Sequence, residues 1–410
     1  MRRKRVNHIY RGISILASTI LFIVCAIPVR AANIQMIPTI ALDGAWDSNI
    51  FNANTDETSD SIFRARPRLT FFINAYQTTI LVGGGIVSEW YADNSDLDSI
   101  TAAKDATLSV ENPMQLSPRL TLRPFFRFVE SEDAVQRNEL TQAPTPDIPP
   151  SQAIVTERQK ERLYQGFLRF GYRLTPRTDV FLGGGITEYN YSGDSATTGN
   201  QDSRTVNGDV SFLYQLTPRF ASGMFYNAGF NSFEQAPDSE TDTVGLEARY
   251  RLTELHTLRM RGGATYLHQS GNNTTQGYDE WHPYGGVDLT YGRRYMWVSM
   301  QSTYEVTGGS FGQTTERWNM ALRMKDRITE TWSWNLSGAY QTNQSNDEPQ
   351  TVNVDTFQGK AGVECRVVEW ATVMLSGIIV RQSSSGTQEN DVDRESVILG
   401  VRFGKPYKPF

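Results

Sequence analysis

A chain of 410 residues with 39 Lys/Arg against 45 Asp/Glu carries a formal charge of −6, a balance that excludes a general binder of nucleic acid. Of two cysteines only Cys365 lies outside the N-terminal thirty-odd residues, so neither a disulfide framework nor a thiolate metal cluster can be built. A mean hydropathy of −0.43, with no second long apolar window after the N-terminus, excludes a helical membrane protein.

MRRKRVNHIYRG is basic and free of acids, ISILASTILFIVCAIPV is apolar, and VRAAN supplies small residues for cleavage near Ala31 or Ala32. Residues 1–31 therefore read as an export signal, with a membrane anchor helix as the alternative. The bulky Val24 before Cys25 argues against lipidation. Cleavage would remove six Lys/Arg and no acid, leaving 33 basic against 45 acidic residues and a net charge of −12.

From there the chain alternates with period two in segments of ten to fifteen residues, rich in Tyr, Phe, Trp, Val, Leu and Thr. In SIFRARPRLTFFINA, Phe63, Ala65, Pro67, Leu69, Phe71 and Ile73 share one face, and Arg64, Arg66, Arg68, Thr70 and Asn74 the other. LYQGFLRFGYRL and ERWNMALRMK divide in the same way. Short links (AYQ, LSPR, LTPR twice, LTEL, GRR, ITET, VEW) alternate with long polar loops such as FNANTDETSD, SGDSATTGNQD and QSNDEPQ. Eight short turns and nine long loops separate about eighteen strands, with sixteen as the alternative count.

Export, strand length, one oily and one wet face, and loops of unequal length on opposite rims predict an all-β fold. It is a transmembrane antiparallel up-and-down β-barrel over residues 32–404 with a short tail at 405–410. A soluble β-sandwich is the rival, but a sandwich shares a dry core, and these wet faces need water inside.

LVGGGIVSEWY at 81–91 returns as FLGGGITEYNY at 181–191, and MRGGATYLHQ follows at 260–269. No helix start or Lys-Ser/Thr follows, so a phosphate loop is excluded. Alternation puts Gly83, Gly85, Gly183 and Gly185 on the lumen side, where loss of Cβ lets strands coil and keeps the bore open. Trp46, Trp90, Tyr91, Tyr189, Tyr191, Trp281, Trp332 and Trp334 gather at strand ends as an interfacial girdle. In SVILGVRF the residues Val397, Leu399, Val401 and Phe403 face lipid, and Phe403 ends the last strand as the C-terminal insertion signal.

Trp46-Asp47-Ser48-Asn49-Ile50-Phe51, then Ser59-Asp60-Ser61-Ile62, then Arg66-Pro67-Arg68-Leu69 resembles the opening of a family of outer-membrane barrels described as exopolysaccharide-locus barrels or porins. The Leu-Ser/Thr-Pro-Arg turns are similar too, while Trp46 stands where Tyr is more usual. The resemblance implies a barrel encoded with envelope polysaccharide machinery and carries over no catalytic residue.

About eighteen strands enclose an aqueous channel. The expected anion pathway is Arg64, Arg66, Arg68, Arg123, Arg127, Arg169, Arg173, Arg249, Arg259, Arg261 and Arg323, opposed by few lumenal acids, chiefly Glu247 and Glu364. The same arginines could instead be ion-pair struts that brace the wall. Phe125 and Phe167 share their face and are candidates for stacking on sugar. The proline-rich third outer loop, 133–157, could constrict the pore or stay exposed. His268, Ser270 and Asp279 or His282 stand near the outer rim, a residue set too loose to predict an enzyme. The function expected is export of an anionic exopolysaccharide, with a general or anion-selective diffusion porin and a non-conducting adhesion barrel as alternatives. The partners expected are outer-membrane lipid and lipopolysaccharide, the barrel-assembly machinery and polysaccharide export components, with no nucleic acid, cofactor or metal.

Overall fold

The computed structural model describes residues 33–405 apart from residues 76–77, 111, 134, 136–158, 193–201, 235–236, 272–276, 294, 309–313, 346–351 and 387–390. The signal at 1–31 and most of the tail therefore lie outside the described residues. The strands are β1 (Asn33–Asp47), β2 (Asp60–Ala75), β3 (Thr78–Tyr91), β4 (Ser99–Val110), β5 (Met114–Gln115), β6 (Leu120–Ser131) and β7 (Lys160–Thr175). They continue as β8 (Thr178–Ser192), β9 (Ser203–Gln215), β10 (Phe220–Phe233), β11 (Ser239–Arg251), β12 (His256–Gln269) and β13 (Tyr278–Gly292). The last six are β14 (Met296–Gly308), β15 (Thr314–Arg327), β16 (Trp332–Ser345), β17 (Val352–Val368), β18 (Ala371–Gly386) and β19 (Val392–Gly404).

Each strand pairs antiparallel with its neighbours in sequence, save that β4 and β5 both pair with β6 and not with each other, and β1 pairs with both β2 and β19, so the sheet closes on itself. The short β5 continues the stave begun by β4, since both pair with β6; the closed ring has eighteen staves. LTPR at 216–219, LTEL at 252–255 and ITET at 328–331 fall between strands, as the sequence predicts. Closure satisfies every stave on both sides, which is what a wall in lipid requires.

The burial pattern is inside-out. Leu246 is 67% exposed and its neighbour Glu247 4%; Phe63 is 50% exposed and Arg64 7%. A soluble protein does not place its leucines outward and its arginines inward in this way, whereas a barrel wall between lipid and water does. Trp46, Trp90, Leu182, Met224, Trp281 and Leu399 stand on the same outer face. Phe403 also points outward and stacks on Trp370 with ring centroids 6.0 Å apart.

The paired glycines face the lumen as expected, but they do not hold the bore open. A Cβ on Gly83 would lie 3.2 Å from Thr70 Oγ1 and 3.3 Å from the Arg68 guanidinium, and one on Gly185 would lie 2.7 Å from Asn207 Oδ1 and 3.0 Å from Phe167. Each glycine is a notch filled by a neighbouring strand's side chain.

Candidate functional site

The lumen is the site. Its predicted cations are inward-facing, and most are ion-paired. Arg64 Nε meets Glu89 at 3.0 Å, Arg66 meets Asp43 at 2.8 Å and Arg68 meets Asp105 at 2.6 Å. Arg169 meets Asp209 at 3.6 Å, Arg261 meets Asp288 at 3.7 Å, and Arg173 meets Asp179 at 3.6 Å near the short-turn rim. Arg249 and Arg259 share the buried carboxylate of Glu247, Arg259 at 2.9 Å. Arg123 stands in register beside Arg169. The expectation of few lumenal acids is therefore corrected: Asp43, Glu89, Asp105, Asp209, Asp288 and Glu305 also point inward. Inward cations still outnumber inward acids among the described residues.

Two of these pairs each pass over one glycine of the duplicated motif, the third of the first copy and the first of the second. Arg68, Gly85 and Asp105 occupy one row across β2, β3 and β4, and Arg169, Gly183 and Asp209 occupy one row across β7, β8 and β9. The arginine and the aspartate sit on strands that do not touch. They meet because the middle strand offers no side chain in that row.

Arg127 and Arg323 come from β6 and β15, halfway around the ring from each other. Arg127 is buried and lies within Coulombic reach of Asp105 as well as of Arg323. Inward cations on opposite walls of one bore favour anions between them. Arg127 also lies 5.1 Å over the ring of Phe125.

Phe125 and Phe167 are 1% and 9% exposed and pack on each other. Burial corrects the sugar-stacking expectation for Phe125, whose ring is closed to the bore, while Phe167 keeps an edge on a lumenal cavity. The lumenal aromatics that meet arginines are others: Phe181 lies under Arg169 at 4.9 Å and Arg249 at 5.6 Å, and Tyr284 under Arg261 at 5.9 Å.

The bore is narrowed by β14. Its ladder with β13 runs from Gly292/Trp297 only as far as Gly285/Tyr304, and its Cα atoms come within 8 Å of β9, β10, β11 and β12. Its upper end therefore bends into the bore. Val306, on the outward parity of the strand, is buried, and so are both Thr314 and Thr315 at the start of β15. Thr314 and Ser239 share a hydrogen bond of 2.7 Å between β15 and β11, continued through Asn231 to Thr205. Glu305 and Arg317 pair within the bent hairpin. Beside it lies a cavity of about 250 Å³ lined by Arg169, Asp209, Phe225, Arg259, Tyr284 and Glu305 among others. A second cavity, of about 320 Å³, lies towards Arg66, Arg68, Lys360, Glu364 and Arg402.

At the outer mouth, Arg394 of β19 is buried and donates to both oxygens of Asp47 (2.9 and 2.7 Å), both oxygens of Asp133 (2.8 and 2.8 Å) and Asn52 Oδ1 (2.8 Å). Ile50 and Val135 pack inside against Ala45, Ile62, Tyr91, Ile378, Val380, Val392 and Ile398. The first outer loop and the start of the third thus fold into the mouth; residues 136–158 lie outside the described residues. Arg394 was not foreseen. It sits among SVILGVRF's upstream residues, where only the lipid face was read.

The rim set is brought together in part. His268 bonds Asp279 on the outer wall, while His282 points inward to Glu316, 3.0 Å away, so His282 is not part of that pair.

No protein-family model matches the sequence, nor does any curated protein. Among solved structures, Acinetobacter baumannii OccAB3 matches over 92% of this chain and 100% of its own at 10% identity and a TM-score of 0.44. Pseudomonas aeruginosa OccK5 (OpdH) matches over 90% of this chain and 98% of its own at 8% identity and a TM-score of 0.44. Pseudomonas aeruginosa OpdK, solved with vanillate, matches over 91% and 99% at 9% identity and a TM-score of 0.41. These superpositions are loose, and the barrel assignment rests on the chain's own strand ladders.

Proposed function

We propose that this chain is an outer-membrane diffusion channel for small solutes with a preference for anions. The observation that carries the reading is the surplus of inward cations over inward acids among the described residues, around a bore that β14 narrows and that has Arg127 and Arg323 on opposite walls. Many lumenal arginines are matched by acids and act as struts, and the surplus of inward cations leaves the field along the bore positive. Outward leucines and an aromatic girdle suit residence in the outer membrane of a Gram-negative cell, and insertion there employs the barrel-assembly machinery, with Phe403 as the signal.

Export of an anionic exopolysaccharide, which the opening motif implies, is the weaker reading. A polymer needs a bore that stays open along its length, and the inward bend of β14 and the tucked first loop both take up part of it. The motif itself is accounted for by the Arg394 cluster, which contains Asp47, Asn52 and the packed Ile50.

Reversal potentials in a planar bilayer under a KCl gradient test the proposal. Chloride should permeate better than potassium, and Arg127→Gln with Arg323→Gln should bring the permeability ratio close to one. A sealed barrel or a cation-preferring one would overturn it.

A further inference from the structure

The outer wall carries a charge cluster that the channel does not use. Asp105 points into the lumen to Arg68, so its neighbour Lys104 points outward; by the same alternation Glu130, Lys160 and Arg162 point outward beside the long-loop rim. Glu130 is the hub. One carboxylate oxygen accepts from Lys104 Nζ at 2.9 Å and Lys160 Nζ at 3.2 Å, and the other from Arg162 Nε at 2.7 Å. The hub side chain is 7% exposed, while the three cations are 34–46% exposed.

Three cations stand against two outward acids, Glu130 and Glu132 one step above it, and leave one positive charge in excess on a wall that meets lipid. That is costly against hydrocarbon and tolerable only at headgroup depth. The height fits: one register step below, Phe128 and Tyr164 stand on the same outer face with ring centroids 5.1 Å apart, where interfacial aromatics belong. The adjacent outward pair Glu188/Arg204 is balanced. On the far wall the outward rim is acidic, with Glu240, Asp242 and Asp279 around His268. The excess is therefore local, in a chain whose overall charge is negative.

We propose that Lys104, Lys160 and Arg162 bind the phosphate of a lipid in the outer leaflet, of the phosphorylated disaccharide (lipid A) type, with its acyl chains lying down the wall over Phe128 and Tyr164. Charge-assisted hydrogen bonds from convergent cations suit a phosphate, and the rings below suit the chains. The cluster's cations are preorganised by Glu130, so little side-chain ordering remains to be done on binding. The inference rests on the outer-membrane reading above.

The test is native mass spectrometry of the detergent-purified barrel titrated with bisphosphorylated lipid A, its dephosphorylated form and inorganic phosphate. Wild type should hold the phosphorylated lipid at least tenfold more tightly than Lys104→Gln/Lys160→Gln/Arg162→Gln does, and at least tenfold more tightly than it holds the dephosphorylated lipid. Equal binding by the triple variant overturns the site, and displacement by inorganic phosphate at equal concentration overturns the lipid assignment. Should the triple variant not fold, Lys104→Gln alone decides: loss of one of the three cations should weaken binding of the phosphorylated lipid at least threefold, and unchanged binding overturns the proposal. Cell fractionation separates the two readings, because a barrel found in the outer membrane whose triple variant binds normally loses only this site.

Discussion

Arg68 and Asp105 stand on strands that share no ladder and form a 2.6 Å ion pair across Gly85 of the strand between them. Arg169 and Asp209 repeat the arrangement across Gly183. A side chain in the middle row would sever the pair and crowd its atoms, the overpacking case that costs about 1–3 kcal/mol. Gly85→Val and Gly183→Val should therefore each lower stability in urea unfolding from lipid vesicles by about that amount. Gly184→Ala is the control. Its Cβ points outward, 3.4 Å from the nearest carbonyl oxygen, and should change stability by less than about 0.5 kcal/mol, as surface substitutions do.

The Arg394 cluster ties the last strand to the first loop and to the start of the third. Breaking a buried, hydrogen-bonded ion pair by removing one partner strands the other charge and costs about 3–5 kcal/mol. Arg394→Met strands two carboxylates, Asp47 and Asp133, so its loss in the same unfolding assay should exceed that of Asp133→Asn, which leaves the Asp47 pair in place. Equal losses from both variants would mean that Asp47 contributes nothing to holding the seam.

Much of this architecture was legible one strand at a time. Phe63 against Arg64 fixes a lipid face and a lumen face, and the LTPR and LTEL turns fix where strands reverse. What depends on two or three strands together was not legible. That Arg68 would find Asp105 requires the register of β2, β3 and β4, which no periodicity within one strand contains, and the acids were therefore overlooked. The glycine repeats were visible but their purpose was not, since a notch has meaning only for the residues on either side. The inward bend of β14 did leave a trace. Pro283 lies just beyond the last rung between β13 and β14, and a proline inside a strand marks an edge.

If the bent hairpin narrows the bore, loosening its anchorage should widen it. The anchor is the Ser239/Thr314 hydrogen bond, buried and 2.7 Å long. A typical net hydrogen bond contributes about 1 kcal/mol, enough to shift a two-state hairpin several-fold. Ser239→Ala with Thr314→Val should raise single-channel conductance or add a larger conductance level, measured in the same bilayers as wild type. Unchanged conductance would place the narrowing elsewhere.

The anion preference assigned to Arg127 and Arg323 should respond to salt in a particular way. Charges exposed to the bore are screened over about 8 Å at 0.15 M and about 3 Å at 1 M, and Arg127 is buried while Arg323 is half-buried. A preference created by this pair should therefore persist partly at 1 M KCl, whereas one created by the exposed rim residue Arg173 should vanish. Measured at both concentrations, Arg127→Gln with Arg323→Gln should abolish the residual high-salt selectivity, and Arg173→Gln should leave it intact. Were Arg173→Gln the variant that removes it, the controlling charge would lie at the rim and the two opposed arginines would be struts like their neighbours.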